Sequence, residues 1–396
     1  MTDLALSGLR ILDLSRVLAG PWCTQMLGDL GAEVIKVEQP SKGDDTRGWG
    51  PPWHGDGDEQ LSAYFLSANR GKQSVTIDMA RLEGQALIRR LAEQSDVLVE
   101  NFKVGGLAKY GLDYDSLTVI NPRLIYCSIT GFGQDGPRSG QPGYDFMIQG
   151  LAGMMSVTGD PSNEPQKSGV AYADVMTGLH GVIAILAAIN QRQKTGRGQH
   201  IDLALFDVGI STLANQALNY LVSGKPPGQS GNAHMNVVPY QLFATLDGHI
   251  ILAIGNDAQF ARFAALVGHG EWAEDRRFQT NGGRNENRAL LIPQIAAIMA
   301  GRTSGDWEVE LEAAGIPQGP VNRIDQALAD PQALFRGLVT EAGGRPAIAS
   351  PLRLSESSCA LSSAPPLLGE HSEAVLMQIL GLSREDVAAL RKSGVI

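Results

Sequence analysis

Short apolar runs rich in β-branched residues alternate with stretches of helical periodicity through the first 135 residues. That alternation limits the fold more than any other feature of the chain. The β-like runs are 10–14 (RILDL), 33–38 (EVIKVE, with period-two alternation), 74–78 (SVTID), 96–100 (DVLVE) and 124–129 (LIYCSI). A helical stretch opens near Pro21 and ends near Gly28 or Gly31. Another covers 81–94, where Leu82, Ala86, Leu87 and Leu91 recur at helical spacing. Strands interleaved with helices predict βαβ units and a mainly parallel sheet. Ligands of such sheets bind beyond the carboxyl ends of the strands, so the residues that follow each strand carry the most information.

The pattern breaks at the Gly/Pro-rich stretch 131–143. A long helix is predicted over 175–193. It stops at Lys194-Thr195-Gly196-Arg197-Gly198, whose cations and glycines suit a helix C-terminus. A strand at 200–205 follows, and 225–236 reads as a linker or exposed loop. Runs at 240–243 and 249–254, with two helical segments, predict a smaller α+β unit reaching about Asn322. The last forty residues end in a helix at 383–392.

With 43% hydrophobic and 19% charged residues the chain has the make-up of a soluble globular protein with an ordinary core. Its three cysteines are too few and too scattered for a disulfide framework or a metal cluster, and Cys23 and Cys127 read as small buried hydrophobes. Asp3, Arg10, Asp13 and Arg16 interrupt the first twenty residues, unlike a signal peptide. The nearly uncharged stretch 175–190 is shorter than the roughly 20 residues of a membrane span. It also holds Gly178, His180 and Gly181, so a buried helix is expected, in a cytoplasmic protein without a membrane partner. A net charge of −10 argues against nucleic acid as a general partner. An anionic ligand would need a local set of cations; Arg47, Arg70, Lys72, Lys103 and Lys109 cluster near strand ends.

The chain has no phosphate-cradling P-loop, no HExxH pair and no GxSxG elbow, and its histidines and cysteines lack metal-ligand spacing. The first βα turn, Ser15 to Pro21, lacks the GxGxxG of dinucleotide-binding folds. Neither a metal nor a permanently bound cofactor is expected. Asp174 stands out. It follows the small, flexible segment Ser168-Gly169-Val170-Ala171-Tyr172-Ala173, which leads straight into the long helix, and so falls at or beside the N-cap. There the dipole and free amides favour an ionised carboxylate, which can act as a nucleophile. A carboxylate in this place can equally do no more than cap the helix. The local residues leave both readings open.

Over nearly its full length the chain resembles the family III CoA-transferases, the group containing formyl-CoA transferase and the carnitine CoA-transferase. The resemblance rests on segments in matching order. These are Leu18-Ala19-Gly20-Pro21, the stretch from Leu27 to Glu38, Gly43-Asp44 with Thr46-Arg47, Asn69-Arg70-Gly71-Lys72 with Ile77-Asp78, and Val99-Glu100-Asn101-Phe102. Gly131-Phe132-Gly133, Gly143-Tyr144-Asp145, Asp174 with Thr177-Gly178, and the stretch from Lys194 to Gln199 continue it. Gly315-Ile316-Pro317, Gly319-Pro320-Val321 and the stretch from Leu367 to His371 close it.

The resemblance implies an α/β fold. A large Rossmann-like domain is built from both ends of the chain (1–205 and 351–396), and a smaller α+β domain (231–325) is inserted through linkers at 206–230 and 326–350. Two chains form an interlocked homodimer. It implies CoA transfer from an acyl-CoA such as succinyl-CoA to a short dicarboxylic acid, with Asp174 forming covalent aspartyl intermediates and coenzyme A entering as substrate. It places Val17, Leu18, Ile77, Asn101, Phe102 and Lys109 along the CoA site, and Tyr144 and Asp145 near the thioester. Formyl-CoA transferase has a basic residue after the second-strand glutamate; this chain has Gln39-Pro40, and Lys42 is the candidate substitute. The loop Gly231-Asn232-Ala233-His234-Met235-Asn236 is similar to that of the transferases acting on succinate and related dicarboxylates. His234 and Asn236 are expected to face Asp174, with His234 binding a substrate carboxylate. A racemase of the same superfamily, using a His-Asp pair for proton transfer, is the nearest rival. This chain has Tyr144-Asp145 where those racemases place the pair. A non-catalytic acyl-CoA-binding protein is the rival of another class.

Overall fold

The computed structural model describes residues 4–359 and 363–396. It divides into two compact units. The first comprises the chain up to Met154, Lys167–Ala217 and Pro331–Ile396. Its centre is a six-stranded sheet of β1 (Arg10–Asp13), β2 (Glu33–Glu38), β3 (Lys72–Thr76), β4 (Val97–Glu100), β5 (Ile125–Thr130) and β6 (His200–Ala204). All five pairings are parallel and the spatial order is 3-2-1-4-5-6, that of the doubly wound dinucleotide-binding fold. Such sheets are covered on both faces, which is why the strands read as nearly unbroken apolar runs. Ile11, Leu12, Val34, Ile35, Val75, Val97, Leu98, Val99 and Ile125 are all buried.

One face packs Leu12, Ile35 and Ile77 against Leu87 and Leu91 of the Leu82–Glu93 helix. The C-terminal segment joins them through Val375, Leu376, Val387 and Ile396. Asp78 N donates to Val395 O at 2.7 Å and Thr76 N to the Ser372 hydroxyl at 3.0 Å, so residues 296 or more apart close one core. On the other face the Ala19–Asp29 helix packs against the Tyr172–Thr195 helix, with Cys23, Leu27, Val182 and Ile185 between sheet and helices. A side chain at Gly178 would put its Cβ 2.8 Å from Ala19 O, so only glycine lets the two helices approach so closely.

The Tyr172–Thr195 helix has 24 residues against the 19 expected. It is long and apolar enough by composition to cross a membrane, yet its glycine side is used in this helix pair. Asp174 lies inside its first turn, not at the cap, which is Ala171. The other elements fall within one to three residues of expectation. The third strand starts and ends two residues early, at Lys72–Thr76, and Leu205 opens a helix where a strand was predicted to finish.

The second unit comprises Met155–Gln166 and Leu218–Asp330. An antiparallel three-stranded sheet (Tyr240–Ala244, His249–Ala253 and Gln318–Pro320) lies against helices Asp257–Leu266, Arg288–Met299 and Ser304–Ala313. Phe243, Ile250, Phe260, Phe263, Leu291 and Trp307 fill its core. Arg284 is fully buried there and fully occupied. It donates to Val238 O (2.7 Å), Phe278 O (2.8 Å) and Asp257 (2.7 Å).

The expected linkers need correction. Residues 206–230 are largely helical, in Leu205–Ser211 and Asn215–Ser223, and 326–350 hold the Pro331–Phe335 helix and a hairpin of Val339–Ala342 with Arg345–Ile348. Residues 155–166, read as part of the large domain, belong to the second unit. Gln229 donates to Thr158 O at 2.8 Å and Gly231 N to Gly159 O at 3.0 Å, contacts no local pattern could reveal.

Candidate active site

In a 3-2-1-4-5-6 sheet the crevice opens at the carboxyl ends of β1 and β4, where the strand order reverses. A cavity of about 490 Å³ lies there. It is walled by Arg16, Val17 and Leu18 after β1, by Met79 after β3, and by Asn101, Phe102, Lys103 and Lys109 after β4. Thr130 at the end of β5, Gly131 after it, Gly143 to Asp145, and Asp174 complete it. Gly131 and Gly143 approach so closely that a Cβ on either would come within 2.6 Å of the other's Cα, which shapes this wall from backbone.

The first turn is held from both sides. The Asn101 amide receives Arg16 N at 2.9 Å and donates to Arg16 O at 2.7 Å, tying the loop after β4 to the loop after β1. Val17 then sits at φ +71°, a conformation a β-branched residue rarely adopts. Asp44 accepts its N–H at 3.2 Å, along with the Thr46 N–H (3.0 Å) and hydroxyl (2.8 Å). Burial would push the Asp44 carboxyl up, but the buried Lys36 ammonium at 2.9 Å, helped by these donors, holds it down to about 2.

Asp174 has the opposite environment. The amides of Ala173 and Asp174, which could have steadied an anion at the helix start, instead donate to Asp145 at 2.8 and 3.3 Å. Asp145 is fixed in turn by the Gln149 amide at 2.7 Å, and Gln149 accepts Ser168 N at 2.8 Å, anchoring the segment that enters the helix. Burial first, then the Asp145 charge, pushes Asp174 up to about 7. The expectation of a carboxylate stabilised by free amides is therefore reversed, because a second carboxylate has taken them. The Tyr64 phenol is raised by burial and by Asp174 and Asp145, which marks it as an electrostatic neighbour that the sequence reading missed.

Of the residues singled out from sequence, Val17, Leu18, Asn101, Phe102, Lys103, Lys109, Tyr144, Asp145 and Asp174 all line the cavity. Five others of the first unit do not. Ile77 is in the core, 1% exposed, and Met79 two residues on reaches the cavity instead. Arg70 is paired with Asp29, Nε to Oδ1 at 2.9 Å. Lys72 is fully buried, giving its three protons to Asp13 (3.0 Å), Pro21 O (2.9 Å) and Asn69 (3.0 Å). Burial brings it down to about 8 despite Asp13. Arg47 likewise grips Glu38 with two bonds of 2.8 and 2.7 Å, and Lys42 is an exposed side chain 3.4 Å from Asp45. Arg16 was missed, although it follows β1 and the carboxyl-end rule selects such positions.

His234 and Asn236 belong to the second unit. The His234 ring lies edge-on to Tyr240, and its Nδ1 accepts Asn236 N at 3.0 Å. Asn236 exchanges amide bonds with Asn219 at 3.1 and 3.3 Å.

A cavity in this position, lined by apolar side chains, by Lys103 and Lys109 and by the Asp174 carboxyl, suits an anionic ligand that presents a reactive carbonyl. Comparison with known proteins agrees. The family model described as CoA-transferase family III matches residues 6–372. The chain belongs to this family. It is 47% identical to the succinate–glutarate CoA-transferase of Agrobacterium fabrum, over 97% of this chain and 99% of that protein. It is 41% identical to the succinyl-CoA:glutarate CoA-transferase of Mus musculus, over 99% of this chain and 90% of that one. A crystal structure of a CaiB/BaiF family protein from Brucella suis matches with a TM-score of 0.86 and 51% identity, covering 95% of this chain and 100% of that one. The protein is thus an enzyme, a CoA-transferase acting on CoA thioesters.

Proposed function

We propose that this CoA-transferase exchanges coenzyme A between succinyl-CoA and a short dicarboxylate such as glutarate, with Asp174 as the nucleophile. The names of the most similar relatives support the substrates. The observation that carries the mechanism is the position of Asp174. It is a cavity-lining carboxyl, beside a second carboxylate and with no cation paired to it among the described residues. A carboxylate needed only for structure would be expected to have a partner, as Asp13 and Asp44 do.

The Asp174 carboxylate adds to the thioester carbonyl, forming an aspartyl–succinyl anhydride and expelling CoA thiolate. The thiolate attacks the aspartyl carbonyl, giving an aspartyl-CoA thioester and free succinate. The acceptor carboxylate then attacks that carbonyl, forming a new anhydride and again freeing thiolate. Attack of the thiolate on the acceptor's acyl carbon returns Asp174 and yields the product thioester. One thioester is consumed and one is made, so the overall exchange is close to balanced and no phosphoanhydride is consumed. Splitting the exchange into such steps is the gain of covalent catalysis. Lys103 and Lys109 offer positive charge to the CoA phosphates, whereas Arg16 is engaged by Asp45 at 2.9 Å, and the backbone amides of the glycine-rich 131–143 wall are the candidate donors to the oxyanions. His234 is the candidate for recognising the distal carboxylate of the acid. We infer a cytoplasmic homodimer, supported by the free buried thiols of Cys23 and Cys127 and by the exposed apolar Leu221, Val222 and Phe335.

The test is hydroxylamine trapping during turnover with succinyl-CoA and glutarate, read by mass spectrometry. Modification of the peptide bearing Asp174 is expected, and its absence while exchange proceeds overturns the mechanism.

A further inference from the structure

A second cavity, of about 290 Å³, lies behind the loop that follows β4 and shares Lys103, Val104 and Gly106 with the first. Those three residues are a thin partition with the CoA-facing cavity on one side. On the other side are Glu100, Ser128, His200 and Tyr114, none of which touches the proposed chemistry. Glu100 is the last residue of β4 and is 6% exposed. Its carboxyl accepts Phe102 N at 2.7 Å and is hydrogen-bonded to Ser128, and the Ser128 hydroxyl lies 2.9 Å from His200 Nε2. The His200 ring is stacked on Tyr114, with centroids 5.0 Å apart and planes at 14°.

We infer that Glu100, Ser128 and His200 form a positioning chain that holds the acyl-CoA-binding loop after β4, gripping it more firmly when Glu100 is ionised. The inference rests on the proposed function, since it assigns the Phe102–Lys109 loop to the CoA thioester. Three successive residues divide the work at the crevice. Glu100 reaches back to β5 and β6, Asn101 reaches across to Arg16 after β1, and Phe102 lines the cavity. The Phe102 amide is thus the point where the chain of side chains meets the ligand loop.

Proton bookkeeping gives the chain two states. With Glu100 ionised, Ser128 donates to the carboxylate and His200 Nε2–H donates to Ser128. With Glu100 protonated, its O–H donates to Ser128, Ser128 donates to His200 Nε2, and the imidazole proton moves to Nδ1. Histidine stays neutral in both, consistent with burial lowering His200 against the opposing charges of Asp202 and Asp115. What changes is the acceptor offered to Phe102 N: a carboxylate in one state, a neutral carbonyl in the other. Charge-assisted bonds are roughly twice as strong as neutral ones.

The groups around Glu100 make this switch usable near neutrality. Burial pushes it up to about 7, with Ser128 and the Phe102 amide pulling the other way. Tyr126 and Cys127 on β5 are themselves raised, first by burial and then by the Glu100 charge. Asp113 and Asp115 at the start of the Tyr114–Ile120 helix add negative charge to the cavity wall, and Lys103 is its one lysine or arginine among the described residues.

The test uses the full-length enzyme, with calorimetric binding of coenzyme A and steady-state exchange from succinyl-CoA to glutarate, both from pH 6 to 8.5. Glu100→Gln keeps partners for Phe102 and Ser128 but cannot ionise. Its CoA Kd is expected to be about fivefold weaker than wild type at pH 8 and equal to it at pH 6, with kcat within twofold throughout. Taking the ratio to wild type cancels the titration of the CoA phosphates. Ser128→Ala removes a bond that favours the charged state, so its transition should lie about one pH unit higher, which provides an independent reading should Glu100→Gln fail to fold. A Kd ratio of one at every pH, or an effect confined to kcat, overturns the inference. Wild-type protein that neither binds coenzyme A nor exchanges it overturns the proposed function instead.

Discussion

The two sides of the crevice treat charge in opposite ways. On the β1–β2–β3 side every deep cation has a carboxylate: Lys36 with Asp44, Arg47 with Glu38, Arg70 with Asp29 and Lys72 with Asp13. On the β4–β5 side Lys103 and Lys109 form no ion pair among the described residues, and Glu100 and Asp174 are both pushed up to about 7 without a cation to compensate them. Removing one partner of a buried pair is costly because the other is left unsolvated, so the paired side is built to stay as it is. The two lysines are left open where an anionic ligand can complete them. The lesson is that the number of cations near strand ends is a poor guide to an anion site; whether each cation is already engaged decides.

The comparison can be broken in several places. Asp174→Asn should reduce CoA exchange by a factor on the order of 10⁴ while leaving the fold intact, as measured by single-turnover assay and circular dichroism. Lys36→Met, on the paired side, should lower stability by about 3–5 kcal/mol by stranding Asp44, as read from denaturant unfolding. If that variant were as stable as wild type, the pairs would not be the framework described.

A smaller effect tests the unpaired side for its own cost. The folded value of Asp174 lies above its unfolded one, so its contribution to stability is present at low pH and lost as pH rises from about 4 to about 7. Asp174→Asn escapes this loss. Its stability relative to wild type should therefore climb across that window and level off above it, reaching on the order of 2 kcal/mol after allowance for partial exposure. Asp145→Asn keeps an oxygen acceptor for the two amides but removes the negative neighbour. Asp174 should then ionise more readily, moving the acid limb of kcat down by about one pH unit. Lys103→Ala and Lys109→Ala should each raise the KM for the CoA thioester about fivefold, with melting temperature little changed, because neither is ion-paired among the described residues and Lys109 gives up only its contact with the Tyr110 ring.

Much of this was legible in the sequence. The strand runs were readable because a parallel sheet buried on both faces demands apolar, β-branched segments, and the family resemblance pointed to Val17, Asn101 and Phe102, which follow β1 and β4 as the carboxyl-end rule requires. What stayed hidden depends on partners distant in the chain. Arg70 and Lys72 look like phosphate ligands until Asp29 and Asp13, 41 and 59 residues away, claim them. Residues 155–166 look like part of the large domain until Gln229 and Gly231 tie them elsewhere. The reversed electrostatics of Asp174 was equally invisible, since it turns on Asp145, 29 residues upstream, capturing the helix amides.

That capture bears on the direction in which the proposed anhydride collapses. A mixed anhydride can break on either side of its central oxygen, and the less basic carboxylate departs more readily. Asp174, with a conjugate acid near neutrality, is the more reluctant of the two to be expelled, since ordinary carboxylic acids are much stronger. Returning thiolate is therefore steered toward the aspartyl carbonyl, and the donor acid is released forward instead of the original thioester being re-formed. By diverting two backbone N–H groups to a neighbouring carboxylate, the fold favours the aspartyl-CoA thioester over both anhydrides: the donor acid leaves readily, and the last step, in which Asp174 must itself depart, is the slower collapse.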